Sequence, residues 1–134
     1  MSEEKYPKVV VGAIIINSQG EILLIKQSKW KNLYSIPGGH VHWGEKLEVA
    51  VSREVFEETG LKISNIQQFN VGEYILGNEN SAEKHYIFID YLCKSENSDV
   101  VLGEESSEYV WAKPDNALDL PLVSNTKHLI EKYL

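Results

Sequence analysis

The chain has 134 residues, 43% hydrophobic and 25% charged, a composition that suits one globular domain with one core. Twenty acidic against 13 basic residues leave a formal charge of −7, which argues against a nucleic-acid polymer as partner because no basic stripe is available to neutralise phosphates. The single cysteine, Cys93, cannot close an internal disulfide, no apolar run approaches about 18 residues, and the opening MSEEKYPK has no apolar signal core, so the expected setting is a reducing cytoplasm with no membrane partner.

In chain order, Lys8 to Asn17 is a β-branched run, Ser18-Gln19-Gly20 a turn and Glu21 to Gln27 a second strand, together a hairpin. Ser28 to Asn32 reads as a polar loop containing Trp30. After a Pro37-Gly38-Gly39 turn, the pattern predicts a helix from Lys46 to Thr59. Leu61 to Leu76 reads as extended chain, bent or broken in the middle, and Gly77 to Ser81 as a turn. Lys84 to Lys94 is a strand alternating Tyr86, Phe88, Asp90 with Ile87, Ile89, Tyr91; Ser95 to Asp99 is a loop and Tyr109 to Lys113 a last short strand. Pro121 precedes a terminal helix from Val123 to Leu134, capped by Ser124 or Asn125, with Leu129, Ile130, Tyr133 and Leu134 as its apolar face. Mixed strands and two helices in these places suggest an α/β sandwich.

The helix from Lys46 carries the chemistry. At about 100° per residue, Glu54, Glu57 and Glu58 stand at i, i+3 and i+4 and share one face. Their repulsion costs a few tenths of a kcal/mol per pair, so the arrangement is most natural where a divalent cation neutralises it, and oxygen-only ligands point to Mg²⁺ or Mn²⁺. Leu47, Ala50 and Val51 lie on the stripe that continues into Glu54 and Glu58, which turns the carboxylates toward the protein body. Gly60 is a residue able to close the helix at φ > 0, and Leu61 supplies the apolar contact that follows such a cap. The alternative is a solvated charged helix, which requires neither the inward stripe nor the glycines.

The order Gly39, five residues, Glu45, seven residues, Arg53-Glu54, Val55, Phe56, Glu57-Glu58, Thr59, Gly60, Leu61 resembles the complete signature box of the Nudix hydrolases, every fixed and apolar position included. Ser35-Ile36-Pro37-Gly38-Gly39 looks like the lead into that box, and Gly12 to Ile16 with Glu21 to Lys26 resembles the family's first hairpin. Tyr34 departs from a common tryptophan, and His42-Trp43 from a common acidic residue. The resemblance implies a Nudix-type α/β/α sandwich with a mixed β-sheet and a signature loop-helix, filling residues 1–134 as one domain. It also implies Mg²⁺-dependent hydrolysis of a nucleoside diphosphate linked to another group, with metal ions bridging carboxylate and phosphate oxygens.

By the same resemblance, Glu54, Glu57 and Glu58 coordinate the ions with the backbone carbonyl of Gly38. Arg53 orients the glutamates, one of them Glu57 at i+4. Glu45 holds Arg53 or a water of the metal shell, unless it is only a helix-start acid. The general base is Glu54, with Glu105 and Glu108 of the acidic loop before Trp111 as later candidates, unless that loop is solvated surface. Lys26 is a candidate for a substrate phosphate, the alternative being an exposed strand-end lysine. His40 and His42 flank the site, whereas His85 and His128 show no partner in the sequence; Trp30, Trp43, Tyr74 and Tyr86 are candidates to stack a base or to serve as core and rim aromatics. The implied substrate is a small-molecule nucleotide, a nucleoside triphosphate first and ADP-ribose or a nucleotide sugar second; a non-catalytic nucleotide sensor is the contrasting class. The oligomeric state, a homodimer included, is left open.

Overall fold

The computed structural model describes residues 5–78 and 81–134. Of the expected turn at Gly77 to Ser81, Glu79 and Asn80 lie outside the described residues, as do the first four residues of the chain. Strands β1 (Lys8–Ile16) and β2 (Ile22–Gln27) form where β-branched and leucine residues run almost without interruption, a pattern suited to strands covered on both faces. Both are so covered: Val11, Ala13, Ile15, Leu23 and Ile25 belong to one core cluster, and Ile14, Ile22 and Leu24 to the other. Each of these isoleucines and leucines has no exposed surface, and each such burial is worth about 2 kcal/mol before entropy is counted.

Five further strands complete a mixed seven-stranded sheet: β3 (Tyr34–Ser35), β4 (Gly38–His40), β5 (Ile63–Leu76), β6 (Lys84–Ser95) and β7 (Ser106–Ala112). β1 runs parallel to β6 from Lys8↔Tyr86 to Ile16↔Lys94 and antiparallel to β4, while β5 lies antiparallel on β6. β2 is antiparallel to both β3 and β7 and meets β1 only at Ile16↔Ile22, so the sheet splays there into two blades. Helix α1 (Leu47–Thr59) packs through Ala50, Val51 and Val55 on one side of the sheet. On the other side lie α2 (Pro114–Ala117) and α3 (Ser124–Tyr133), through Ala117, Leu129 and Ile130. The architecture is the expected α/β/α sandwich. Among the described residues no helix is long and apolar enough to cross a membrane.

Several elements differ from the sequence expectation for physical reasons. Gly38 and Gly39 are not a turn but an edge strand, because β1 offers them partners at Gly12 and Val11. The long extended segment stays one strand, bent by register shifts after Ser64 and Gln68, with Asn65 at φ 51°. Ser28–Trp30 forms a single 3₁₀ turn, β7 begins three residues before Tyr109, and Pro114 starts a short helix in the first-turn position that suits proline. Neither Ser124 nor Asn125 caps α3; Val123 stands at its N-cap with no side-chain bond, and Leu134 is 60% exposed rather than part of the apolar face.

Helix α1 ends as its sequence requires. Gly60 takes φ 72° and its N–H donates to Phe56 O at 2.9 Å, after which Leu61 is buried. A β-carbon there would meet Val101 at 3.4 Å, so the penalty of substitution is mainly the backbone conformation. Gly60→Ala is therefore expected to lower stability by about 1 kcal/mol, read as a lower urea midpoint with an unchanged denaturant slope.

Candidate active site

Glu54, Glu57 and Glu58 of α1 line one cleft of about 360 Å³ together with Gly38 and Gly39 of β4. Glu104 and Glu105, in the loop before β7, line it as well, and Lys29 on the 3₁₀ turn does so from β2. The acidic loop is strapped to the end of α1: Val101 N–H donates to Thr59 O at 2.9 Å and Gly103 N–H to Glu58 O at 3.0 Å. The approach is close enough that a β-carbon on Gly103 would lie 2.8 Å from Glu57 O.

Glu58 is the most enclosed of the cleft's acids, 8% exposed. Its Oε1 accepts the Gly38 N–H at 2.7 Å and its Oε2 accepts Gln27 Nε2 at 2.5 Å. Burial pushes its pKa up to about 7, and these two donors only partly oppose the shift. The orientation of β4 explains the first bond. Pro37 O and Val41 N–H bond to β1, at Ala13 N–H and Val9 O, which leaves the backbone of Gly38 and His40 turned away from β1 toward the helix. Gly39, between them, lies directly beneath Glu54, whose carboxylate occupies the space a β-carbon would need.

Arg53 organises the remaining acids. Its Nε and Nη2 donate to the two oxygens of Glu45 at 2.7 and 3.0 Å, and Nη2 also donates to His40 O at 2.9 Å. Nη1 donates to Glu54 Oε1 at 2.8 Å and reaches Glu57 Oε2 at 3.3 Å. The guanidinium, with the His42 N–H donating to Glu45 Oε1 at 2.9 Å, holds the Glu45 carboxyl down to about 2.

The other sequence candidates fall into separate places. Glu105 faces the cleft, and Glu45 sits behind Arg53, outside the cleft lining. Glu108 and Lys26 are cross-strand partners on β7 and β2, joined by an ion pair of 3.0 Å, with the Tyr34 hydroxyl donating to Glu108 at 3.4 Å. Neither lines the cleft. His85 and His128, partnerless in the sequence, stand 3.3 Å from Glu73 and 3.6 Å from Glu131. Trp43 is fully exposed; Tyr86 is half-buried, 6.1 Å from the rings of His40 and Phe88. Cys93 is buried, and burial raises its thiol to about 12, an inert state. Sequence reasoning passed over Gln27, Lys29, Glu104 and Ser106. Only Glu104 carried a signal, its place in the acidic loop; Gln27 and Ser106 reach the site through the pairing of β2 with β7, and Lys29 through the 3₁₀ turn that follows β2.

Divalent-metal binding fits the residues present, though among the described residues no three acidic or histidine side chains yet enclose a metal position. Each carboxylate is turned to a donor instead: Glu54 to Arg53, Glu58 to Gly38 and Gln27. His40 also lines the cleft, but the acidic side chains there offer oxygen donors that suit a hard cation, and a buried carboxylate with a raised pKa gains from a cation beside it. Glu54, Glu57, Glu58 and the outward-turned Gly38 backbone are the groups that could supply such donors.

A family profile for the NUDIX domain matches residues 6–133. The nucleoside triphosphatase NudI of Salmonella agona is 30% identical over 128 residues, covering 87% of this chain and 89% of NudI. The NAD-capped RNA hydrolase NudC of Photobacterium profundum is 31% identical over 126 residues, but the chain spans only 44% of that protein's length. Among solved structures, the MutT NUDIX hydrolase of Burkholderia pseudomallei superposes with a TM-score of 0.81 at 28% identity, over 97% of this chain and all of that one.

The Glu45–Arg53 pair makes a testable claim about pH. A carboxyl depressed in the folded state, from 4.5 to about 2, contributes stability present above the unfolded value and lost as pH falls through the folded one. The stability difference between wild type and Glu45→Gln is thus expected to be constant near neutrality and to shrink between about pH 4.5 and pH 2, measured by urea titration at each pH.

Proposed function

Because the chain belongs to the Nudix hydrolase family, we propose that it hydrolyses a nucleoside triphosphate to the monophosphate and pyrophosphate, with Mg²⁺ or Mn²⁺ as cofactor. The observation that carries this reading is the convergence of Glu54, Glu57 and Glu58 on one cleft beside the Gly38 backbone. The near full-length likeness to a nucleoside triphosphatase supports the substrate class over the alternative of ADP-ribose or a nucleotide sugar.

Glu54, Glu57, Glu58 and the Gly38 carbonyl would hold the cations, which when bound supply charge neutralisation for the phosphates and an acidified water. Arg53 holds Glu54 and Glu57 toward each other, Glu45 keeps Arg53 in place, and Gly38 with Gln27 fixes Glu58. Glu54, facing the cleft with one oxygen free of Arg53, is the proposed general base, and Glu105 is the second candidate. A carboxylate in that role takes the proton from the attacking water, and the leaving diphosphate departs as pyrophosphate. Glu108, closed by Lys26 and Tyr34, has no part in this scheme.

Glu54→Gln is expected to lower kcat by at least about a hundredfold with the fold intact, and Glu105→Gln by only a fewfold, in steady-state assays with Mg²⁺. Glu58→Gln is a harsher change, because its amide would confront either the Gly38 N–H or the Gln27 amide; it is expected to lose both activity and thermal stability. Mg²⁺ should raise the thermal midpoint of the wild type by mass action, and excess chelator should abolish turnover. In ¹⁸O-labelled water a nucleoside triphosphate should give nucleoside monophosphate and pyrophosphate. Labelled orthophosphate with nucleoside diphosphate would overturn the bond assignment, and a preference for ADP-ribose would move the substrate to the alternative class.

A further inference from the structure

Five carboxylates line the cleft, and Lys29 is the one lysine or arginine among its described lining residues. A polyphosphate entering such a cleft meets like charge both on the helix and on the acidic loop, and cations held at the helix would relieve only the helix wall. Lys29 is placed to meet it. Its turn begins at Gln27, which bonds Glu58 and also reaches Ser106 Oγ at 3.3 Å, so the turn hangs directly on the acids. Lys31 and Asn32 then take φ 53° and 65°, a left-handed conformation that asparagine tolerates and a lysine rarely adopts. This reversal, with Lys31 N–H on Ser28 O and Leu33 N–H on Trp30 O, sets Lys29 on the cleft wall; Lys31 does not line it.

The two lysines of this region differ in what already binds them. Lys26 is neutralised by Glu108 at 3.0 Å and lies 4.8 Å over the Tyr34 ring. Lys29 has no ion pair within 4 Å among the described residues; its charge acts on the buried Glu58 through space, and it rests 5.7 Å from the Trp30 ring, at the outer limit of a cation–π contact. An ammonium on a flexible stem, with three donors and no carboxylate in direct contact, loses little when it moves to a phosphate oxygen.

We propose that Lys29, rather than Lys26, is the side chain that grips the phosphate chain of the incoming nucleotide. The assignment rests on the reading of the cleft as a polyphosphate site, not on the identity of the base. Its test is therefore binding of inorganic pyrophosphate in the presence of Mg²⁺, followed by calorimetry, on the full chain. Lys29→Gln is expected to weaken that binding by about tenfold or more, the loss typical of one charge-assisted hydrogen bond. Lys31→Gln, an equal change of charge in the same turn, should stay within about twofold. With a nucleoside triphosphate, Lys29→Gln should raise KM by a similar factor while kcat falls less, and Lys29→Arg should recover part of the loss. An unchanged thermal midpoint of Lys29→Gln would establish that the turn still folds. Pyrophosphate binding unaffected by Lys29→Gln, a loss in Lys26→Gln as large or larger, or no binding by the wild type would each overturn the assignment. Lys29-dependent pyrophosphate binding in a protein that cleaves no nucleoside triphosphate would support it while removing the proposed substrate.

Discussion

The site depends on one guanidinium. Arg53 has five N–H groups in a rigid plane, and each has an acceptor: two on Glu45, one on Glu54, one on Glu57 and one on the His40 carbonyl. Two of these partners are its own helix neighbours, and the rest belong to the loop before α1 and to β4. The same group that offsets repulsion along the helix thus fastens the helix to the sheet edge. A lysine at this position, with three donors on a freely turning ammonium, cannot span those directions together.

That fastening works only because α1 and β4 meet at backbone distance. Gly39 leaves room for the Glu54 carboxylate, and a β-carbon on Gly38 would overlap Val11 O and lie 2.8 Å from the Gly12 α-carbon. The cost of burying Glu58 beside this junction is offset by the aliphatic core beneath it, where Val51 and Val55 pack against Val11, Ala13 and Ile15. Core and site are therefore not separable. The two-sided cover of β1 positions the edge strand that supplies a hydrogen bond to Glu58.

How much of this could be read from the chain follows the range of each interaction. Helix α1, its acidic face and the glycine that ends it are local patterns, with period, charge and cap within a few residues of one another, and they were legible. So were the first hairpin and the alternation of β6. Gly38 and Gly39 read as a turn because glycine favours turns, and pairing with β1 overrode that preference. The pairing of Lys26 with Glu108 and of Gln27 with Ser106 joins residues some 80 positions apart along β2 and β7. No local signal marks such partners, so neither the counter-ion of Lys26 nor the tie of Gln27 to the acids is legible in the chain.

The strap between the acidic loop and α1 has a mechanical consequence. Backbone bonds from Val101 and Gly103 end on the carbonyls of Thr59 and Glu58, immediately behind the carboxylates of the helix. Glu104 and Glu105 consequently ride on the same body as Glu57 and Glu58, and drawing one acidic wall away from the other means breaking the two bonds that bind them. The spacing between the walls is thus set by the backbone framework and not by the side chains that face across it.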